Sequence, residues 1–249
     1  MFEYKILKSI YDKSVILFTI MWIILYCVLF SLGDYLSSLV GIEKIITLPI
    51  GLILSFILFD FLKKYELLKV YGFNAPNASY SSMLFYIPLL ILISMNVING
   101  VTFNYDAIET ILYILSMLCV GFLEEVIFRG LLFNEMKKDG LLLAIIVSSL
   151  TFGIGHIINL INGSGVDLLS NVLQVVYASS AGFMFVMIYL KTDSLIIPIS
   201  CHGIFNALSI FNVKDVDLHV DIIISIVITV ISLSYGLYLL FTLKKKTEE

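Results

Sequence analysis

Charge is scarce in this sequence: Asp, Glu, Lys and Arg make up 14% of its 249 residues, against about 25% in an ordinary soluble domain. That shortage removes the usual solvated surface. Proline occurs only 4 times, so long extended Pro-rich linkers are excluded. Cysteine occurs 3 times, at Cys27, Cys119 and Cys201, each inside an apolar stretch. Three scattered thiols make neither a disulfide framework nor a Cys-rich metal site. No basic patch interleaved with aromatics points to nucleic acid. What fills the sequence instead is hydrophobic residues, at 60%, with a mean hydropathy of +1.04. The chain reads as an all-α, polytopic membrane protein.

A membrane-spanning helix needs about 20 mostly apolar residues. Eight segments meet that measure, at 14–33, 45–62, 83–99, 107–134, 141–161, 168–190, 193–211 and 221–243. They form a single transmembrane domain over 1–249. The longest connection, 63–82, is rich in Lys, Asn and turn formers. Lysines alternate strongly between the two sets of connections. Twelve lie at 5, 8, 13, 63, 64, 69, 137, 138, 191 and 244–246; two, Lys44 and Lys214, lie on the other side. The positive-inside rule then places both termini in the cytoplasm, consistent with an even number of spans. No small-residue cleavage site follows the first span, so it is expected to stay as an anchor.

Against this background a few polar residues inside the spans stand out. Residues 121–133 read GFLEEVIFRGLLF, with Glu124, Glu125 and Arg129 in one apolar run. A charge at the centre of a membrane helix costs about 2.5–3.5 kcal/mol, so such residues face protein or a wet cavity and need partners. Glu125 and Arg129 are four apart and share a helical face, so they can pair. Glu124 is turned about 100° from Glu125 and needs a partner from another helix. The fifth span supplies Phe152, His156 and Asn159. The seventh supplies His202 and Asn206 one turn apart, with Pro198 one turn earlier to kink the helix. Gly153, Gly155 and Gly203 beside the histidines allow close helix approach. His219 lies in a connecting segment and reads as a solvated residue. Depth agrees only in part. Glu124 and His202 lie about 15 Å from the lysine-rich end, His156 about 22 Å at 1.5 Å per residue.

A carboxylate with two imidazoles can activate water for hydrolysis. Asn206 could donate to the oxyanion formed when a peptide carbonyl is attacked. The set Glu124, His156 and His202 could also hold zinc, leaving a position for water. The zincin signature H-E-x-x-H and a serine nucleophile elbow are both absent. None of the cysteines sits beside a local base on its own helix face.

Three ordered motifs, E-E-x-x-x-R (Glu124, Glu125, Arg129), F-x-x-x-H (Phe152, His156) and H-x-x-x-N (His202, Asn206), resemble the CAAX protease and bacteriocin-processing family of intramembrane endopeptidases, also called the abortive-infection family. The resemblance covers about 110–210, within a catalytic core taken as 107–211. It implies about eight helices around a conical cavity open to the cytosol and the membrane, and hydrolysis of a peptide bond in a membrane-associated protein or peptide. It implies that Glu124 activates water beside His156 and His202, that Asn206 stabilises the oxyanion, and that Glu125, Arg129, Phe152 and Asn159 support them. It leaves open zinc or a metal-free glutamate–water mechanism. It also leaves open a role in peptide maturation, bacteriocin processing or self-immunity, in a bacterial plasma membrane. A non-catalytic membrane scaffold or immunity protein that keeps the pocket is the rival reading. A proton-coupled transporter is a weaker rival, because the two halves lack a matching pair of broken helices.

Overall fold

The computed structural model describes residues 3–162, 165–213 and 216–247, with side chains described as far as residue 243. Lys214 and the side chains of Lys244–Lys246, which enter the lysine count, lie outside the described residues. The described chain is all-α, with nine helices. They are α1 Lys5–Lys13, α2 Val15–Val40, α3 Thr47–Lys64, α4 Ile87–Ser94, α5 Ala107–Met136, α6 Leu141–Leu160, α7 Leu168–Thr192, α8 Ile196–Leu208 and α9 Leu218–Thr247.

Five of these, α2, α5, α6, α7 and α9, are long and apolar enough to cross a membrane. Two shorter apolar segments, Ser81–Val97 and Ile196–Phe211, accompany them. The 18-residue α3 carries Asp60, Lys63 and Lys64 in its last turns. Each of the eight apolar segments of the sequence thus corresponds to helix, and the protein is an integral membrane protein. Large apolar side chains stay exposed along α2 and α3, among them Ile24, Val28, Leu52 and Phe56. Exposed apolar surface on this scale suits lipid contact.

Polar side chains start the helices where the chain turns. The Ser14 hydroxyl accepts from the Leu17 N–H at 3.2 Å to begin α2. Asp106 accepts from the Glu109 N–H at 2.8 Å to begin α5. Asp167 accepts from the N–H groups of Leu169 and Ser170 to begin α7. The hydrogen bond from the Ser170 hydroxyl, with those from the Ser170 and Leu169 N–H groups, holds the Asp167 carboxyl below its ordinary pKa.

Three features depart from the pattern read in the sequence. A ninth helix, α1, precedes the first span and folds back, with the Tyr11 and Tyr71 hydroxyls 2.6 Å apart and Tyr4 donating to Asp60 at 2.9 Å. It is too short and too rich in lysine to register as a span. The segment expected as a continuous helix at 83–99 is broken. Leu84, Phe85 and Tyr86 have φ of 49°, 52° and 58° ahead of α4, and Met95–Val97 is a 3₁₀ turn. Pro88 offers no N–H to the carbonyl four residues earlier and its ring crowds that turn, so the helix starts only at Ile87. Finally, Pro198 does not kink α8. The helix begins at Ile196, which puts the proline in its first turn, where its missing N–H costs nothing.

The helices that position the site are packed closely. α5 runs along α8, and α7 packs against both α6 and α9; α3 lies on α5. Two contacts require glycine. A Cβ on Gly121 of α5 would lie 2.6 Å from the Gly203 backbone of α8. A Cβ on Gly153 of α6 would lie 1.9 Å from the Ser179 Oγ and 2.7 Å from the Ser179 N of α7. Gly155 plays no such part, because nothing lies within 4 Å of the space its Cβ would take.

Candidate active site

The site is built from α5 outward. From Val126 to Phe133, α5 widens into π-helix, a local geometry often found at functional sites. Glu124 and Glu125 end the regular α-helical turns just before it. Glu125 and Arg129 are both fully buried and pair through Oε1 and Nη1 at 3.0 Å, as the four-residue spacing predicts. The Arg129 guanidinium also lies over the Phe152 ring at 4.1 Å and the Phe185 ring at 5.5 Å. A flat cation between aromatic faces is sheltered without needing every N–H bonded to oxygen.

His202 of α8 joins this pair to Glu124. Its Nδ1 lies 2.8 Å from Glu125 Oε1, and its Nε2 lies 3.4 Å from Glu124 Oε2. Glu125, already an acceptor from Arg129, accepts from His202 as well, which assigns the proton to Nδ1 in the neutral ring. Nε2 then offers its lone pair toward Glu124. Two acceptors facing each other at this distance call for a proton between them or an O–H donor beside the pair that bonds to both. Phe185 stacks on the His202 ring at 5.7 Å, and Phe152 meets it edge-on at 5.5 Å. The imidazole is therefore fixed on all sides but one.

Glu124 has a second partner, from outside the three motifs. The Tyr26 hydroxyl of α2 donates to Glu124 Oε1 at 2.7 Å. Tyr26 is 98 residues away in sequence, so nothing in the local pattern of α5 names it. The available signal is a lone phenol in the middle of an otherwise apolar span. Phe185, which shelters both Arg129 and His202, carries no sequence signal at all among the many apolar residues of α7.

His156 occupies a different place. Regular α-helix ends at Gly155, and His156 opens a 3₁₀ turn. Its Nδ1 donates to the Phe152 carbonyl at 3.1 Å, which leaves Nε2 as the free face of the neutral ring. Phe152 lies edge-on between the two imidazoles, 5.3 Å from His156 and 5.5 Å from His202. Among the described residues no ion pair joins His156 to Glu124. What His156 shares with His202 is a cavity of about 60 Å³, which Asn206, Phe152 and Gln174 also line. That is room for a few waters at most. Asn159 does not reach it; its amide donates to Gln174 at 2.9 Å and so braces the wall. The structure thus brings Glu124, Glu125, Arg129 and His202 into direct contact, and sets His156 and Asn206 beside His202 across a small cavity.

The fit of a metal can be tested on these donors. Among the described residues no group of three or more His, Cys, Asp or Glu side chains is placed to hold one. His202 turns one nitrogen to Glu125, and His156 turns one to a backbone carbonyl. Each ring keeps its second nitrogen free, as a metal-bound imidazole does, but Glu124, His156 and His202 are not gathered around one point among the described residues.

A comparison with models of known protein families matches residues 106–208, described as Rce1-like: Type II CAAX prenyl endopeptidase Rce1-like. Over that segment, less than half of the chain, the sequence is similar to this family. The Rce1-like segment begins at the cap of α5 and ends at the close of α8, so it contains every residue of the contact network except Tyr26. Its similarity to a family of membrane endopeptidases agrees with the apolar helices and with the buried cluster of Glu124, Glu125 and His202. No curated protein and no solved structure gives a significant match to the chain.

Proposed function

We propose that the protein is an intramembrane endopeptidase that hydrolyses a peptide bond in a membrane-associated protein or peptide, using water activated by Glu124 with His202. The observation that carries this reading is the continuous line from Arg129 through Glu125 and His202 to Glu124. Arg129 neutralises Glu125; Glu125 holds His202 in one tautomer; His202 and Glu124 face the same gap. A water hydrogen-bonded to both from the side, since 3.4 Å leaves no room for it between them, donates one proton to the pair as its oxygen attacks the peptide carbonyl carbon. The carbonyl π bond opens to an oxyanion, which the Asn206 amide stabilises as a donor. Collapse of that intermediate breaks the C–N bond, and the proton passes to the leaving nitrogen. The charge borne by a protonated His202 is balanced by the carboxylates on its two nitrogens. His156, with Nε2 free, orients the water or receives a proton on the far side of the cavity.

The division of labour differs from that implied by helical phase alone. Glu125 is shared between Arg129 and His202, and Glu124 is held by Tyr26. The physiological setting that fits is maturation of a peptide or processing of a bacteriocin in a bacterial plasma membrane, with both termini in the cytoplasm.

The test is a panel of membrane-tethered reporter peptides incubated with purified wild-type protein and with Glu124→Ala. Loss of cleavage with retained monodisperse protein is expected. Cleavage that persists in a folded Glu124→Ala variant sinks this mechanism. A wild-type protein that binds reporters through the same pocket without cutting any of them favours the scaffold reading.

A further inference from the structure

His156 lies where the regular turns of α6 stop. The α-helical part ends at Gly155, and His156–Leu160 continues as a 3₁₀ turn. The last carbonyl groups of an α-helix have no partner within it. The height and rotation of this turn therefore depend on what meets it from outside. α7 meets it, packing along the 3₁₀ turn as well as along the regular part of α6.

The contact is made by amides. Asn171, in the first turn of α7, is 1% exposed. Its Nδ2 donates to the His156 carbonyl oxygen at 2.8 Å. Three residues on, Gln174 Oε1 accepts from Asn159 Nδ2 at 2.9 Å, and Asn162 donates to Asn159 Oδ1 at 3.1 Å. The register of the two helices is fixed just before this point. A Cβ on Gly153 would come within 2.7 Å of the Val175 carbonyl oxygen, so α6 and α7 touch backbone to backbone there. Neither Asn171 nor Gln174 belongs to the three motifs.

A bond to a bare carbonyl serves the fold wherever a helix ends, because a buried acceptor without a donor is costly. Here the backbone that is held is that of His156 itself. The ring is held as well, by the bond from Nδ1 to the Phe152 carbonyl at 3.1 Å. With backbone and ring both anchored, Nε2 is the free atom on the wall of the cavity that His156 shares with His202 and Asn206.

We infer that Asn171 is a positioning residue of the hydrolytic site. Its amide holds the His156 backbone at the height that sets Nε2 on this cavity, across the Phe152 ring from His202. Gln174 steadies the same turn through Asn159. Asn171 itself touches no reacting atom. The use made of His156 rests on the peptidase reading, but the placement of its ring by Asn171 does not.

The ring reports the outcome directly. The chain has 3 histidines. In protein carrying isotope-labelled histidine, their ring nitrogens are assigned by NMR in detergent with His156→Ala, His202→Ala and His219→Ala. Asn171→Leu fills the same space without a donor, and Asn171→Ala is the second variant should the first not fold. The His156 signals are expected to shift or broaden in both. The His202 signals, fixed by Glu125 at 2.8 Å, are expected to stay. On a reporter that wild type cuts, kcat is expected to fall roughly 10- to 100-fold with KM little changed. Unmoved His156 signals in either monodisperse variant overturn the inference. So do His202 signals that move along with them, or a raised KM at unchanged kcat. Retained cleavage in Glu124→Ala removes the peptidase reading and leaves the ring measurement standing.

Discussion

Replacing Arg129 with methionine is the sharpest probe of how this site survives in lipid. Arg129 and Glu125 are both 0% exposed, and they are joined at 3.0 Å. Removing one partner of a buried pair strands the other charge, at a cost of about 3–5 kcal/mol. Loss of the cation over Phe152, 4.1 Å away, adds about 0.5–2 kcal/mol. Arg129→Met should therefore lower the unfolding midpoint in detergent by about 7–28 °C, taking about 2–4 °C per kcal/mol for a chain of this size. The control is Glu125→Leu combined with Arg129→Met. Replacing a whole buried pair with apolar side chains is often neutral or better, so the double variant should recover most of the midpoint. It should not recover activity, because His202 Nδ1 has then lost the oxygen 2.8 Å away. Thermal unfolding followed by size-exclusion chromatography measures the first effect, and reporter cleavage the second. A wild-type midpoint in Arg129→Met, or a double variant less stable than the single one, would refute the account of the pair.

Three further outcomes follow from named contacts. Tyr26→Phe removes the hydroxyl 2.7 Å from Glu124; a hydrogen bond to a charged group is worth about 1.5–3 kcal/mol, so kcat should fall by roughly 10- to 100-fold with KM little changed, in steady-state reporter assays. A fall in KM-dependent binding alone would argue for a structural role only. Gly153→Ala should reduce the yield of folded protein sharply, because its Cβ would meet the Ser179 backbone, whereas Gly155→Ala, with open space around it, should be neutral or slightly stabilising by thermal unfolding. Pro198→Ala should leave both the midpoint and cleavage near wild type, since the proline occupies the first turn of α8; a large change in either would mean that Pro198 shapes the helix after all.

Much of this protein is written locally. Eight apolar stretches separated by lysines and turn formers announce membrane helices, because lipid demands long runs without charge and helix is the way one chain satisfies its own backbone there. The Glu125–Arg129 pair is equally local, since four residues bring two side chains together on any helix. It persists even where α5 widens into π-helix. The phase of Glu124 was legible in the same way, as a carboxylate that needed something from another helix. The two histidines and Asn206 were legible as expensive residues in apolar surroundings.

Which of those residues meet was not legible, because contacts across helices depend on rotation, depth and crossing, none of which a single span encodes. His202 came to bridge both glutamates because Gly121 and Gly203 let α5 and α8 approach closely. His156 stayed across a cavity because α6 ends its regular turns at Gly155 and directs the ring to its own Phe152 carbonyl. Tyr26 reached Glu124 from a span with no motif, and Phe185 covered Arg129 and His202 from a helix where one more phenylalanine means nothing in sequence. The sequence by itself determined that this is a membrane protein of many helices that buries Glu, Arg and His at a cost, since periodicity and the price of charge in lipid are local properties. Only the tertiary structure decided which carboxylate orients the histidine and which is left facing it, because that choice depends on how four helices pack around one imidazole.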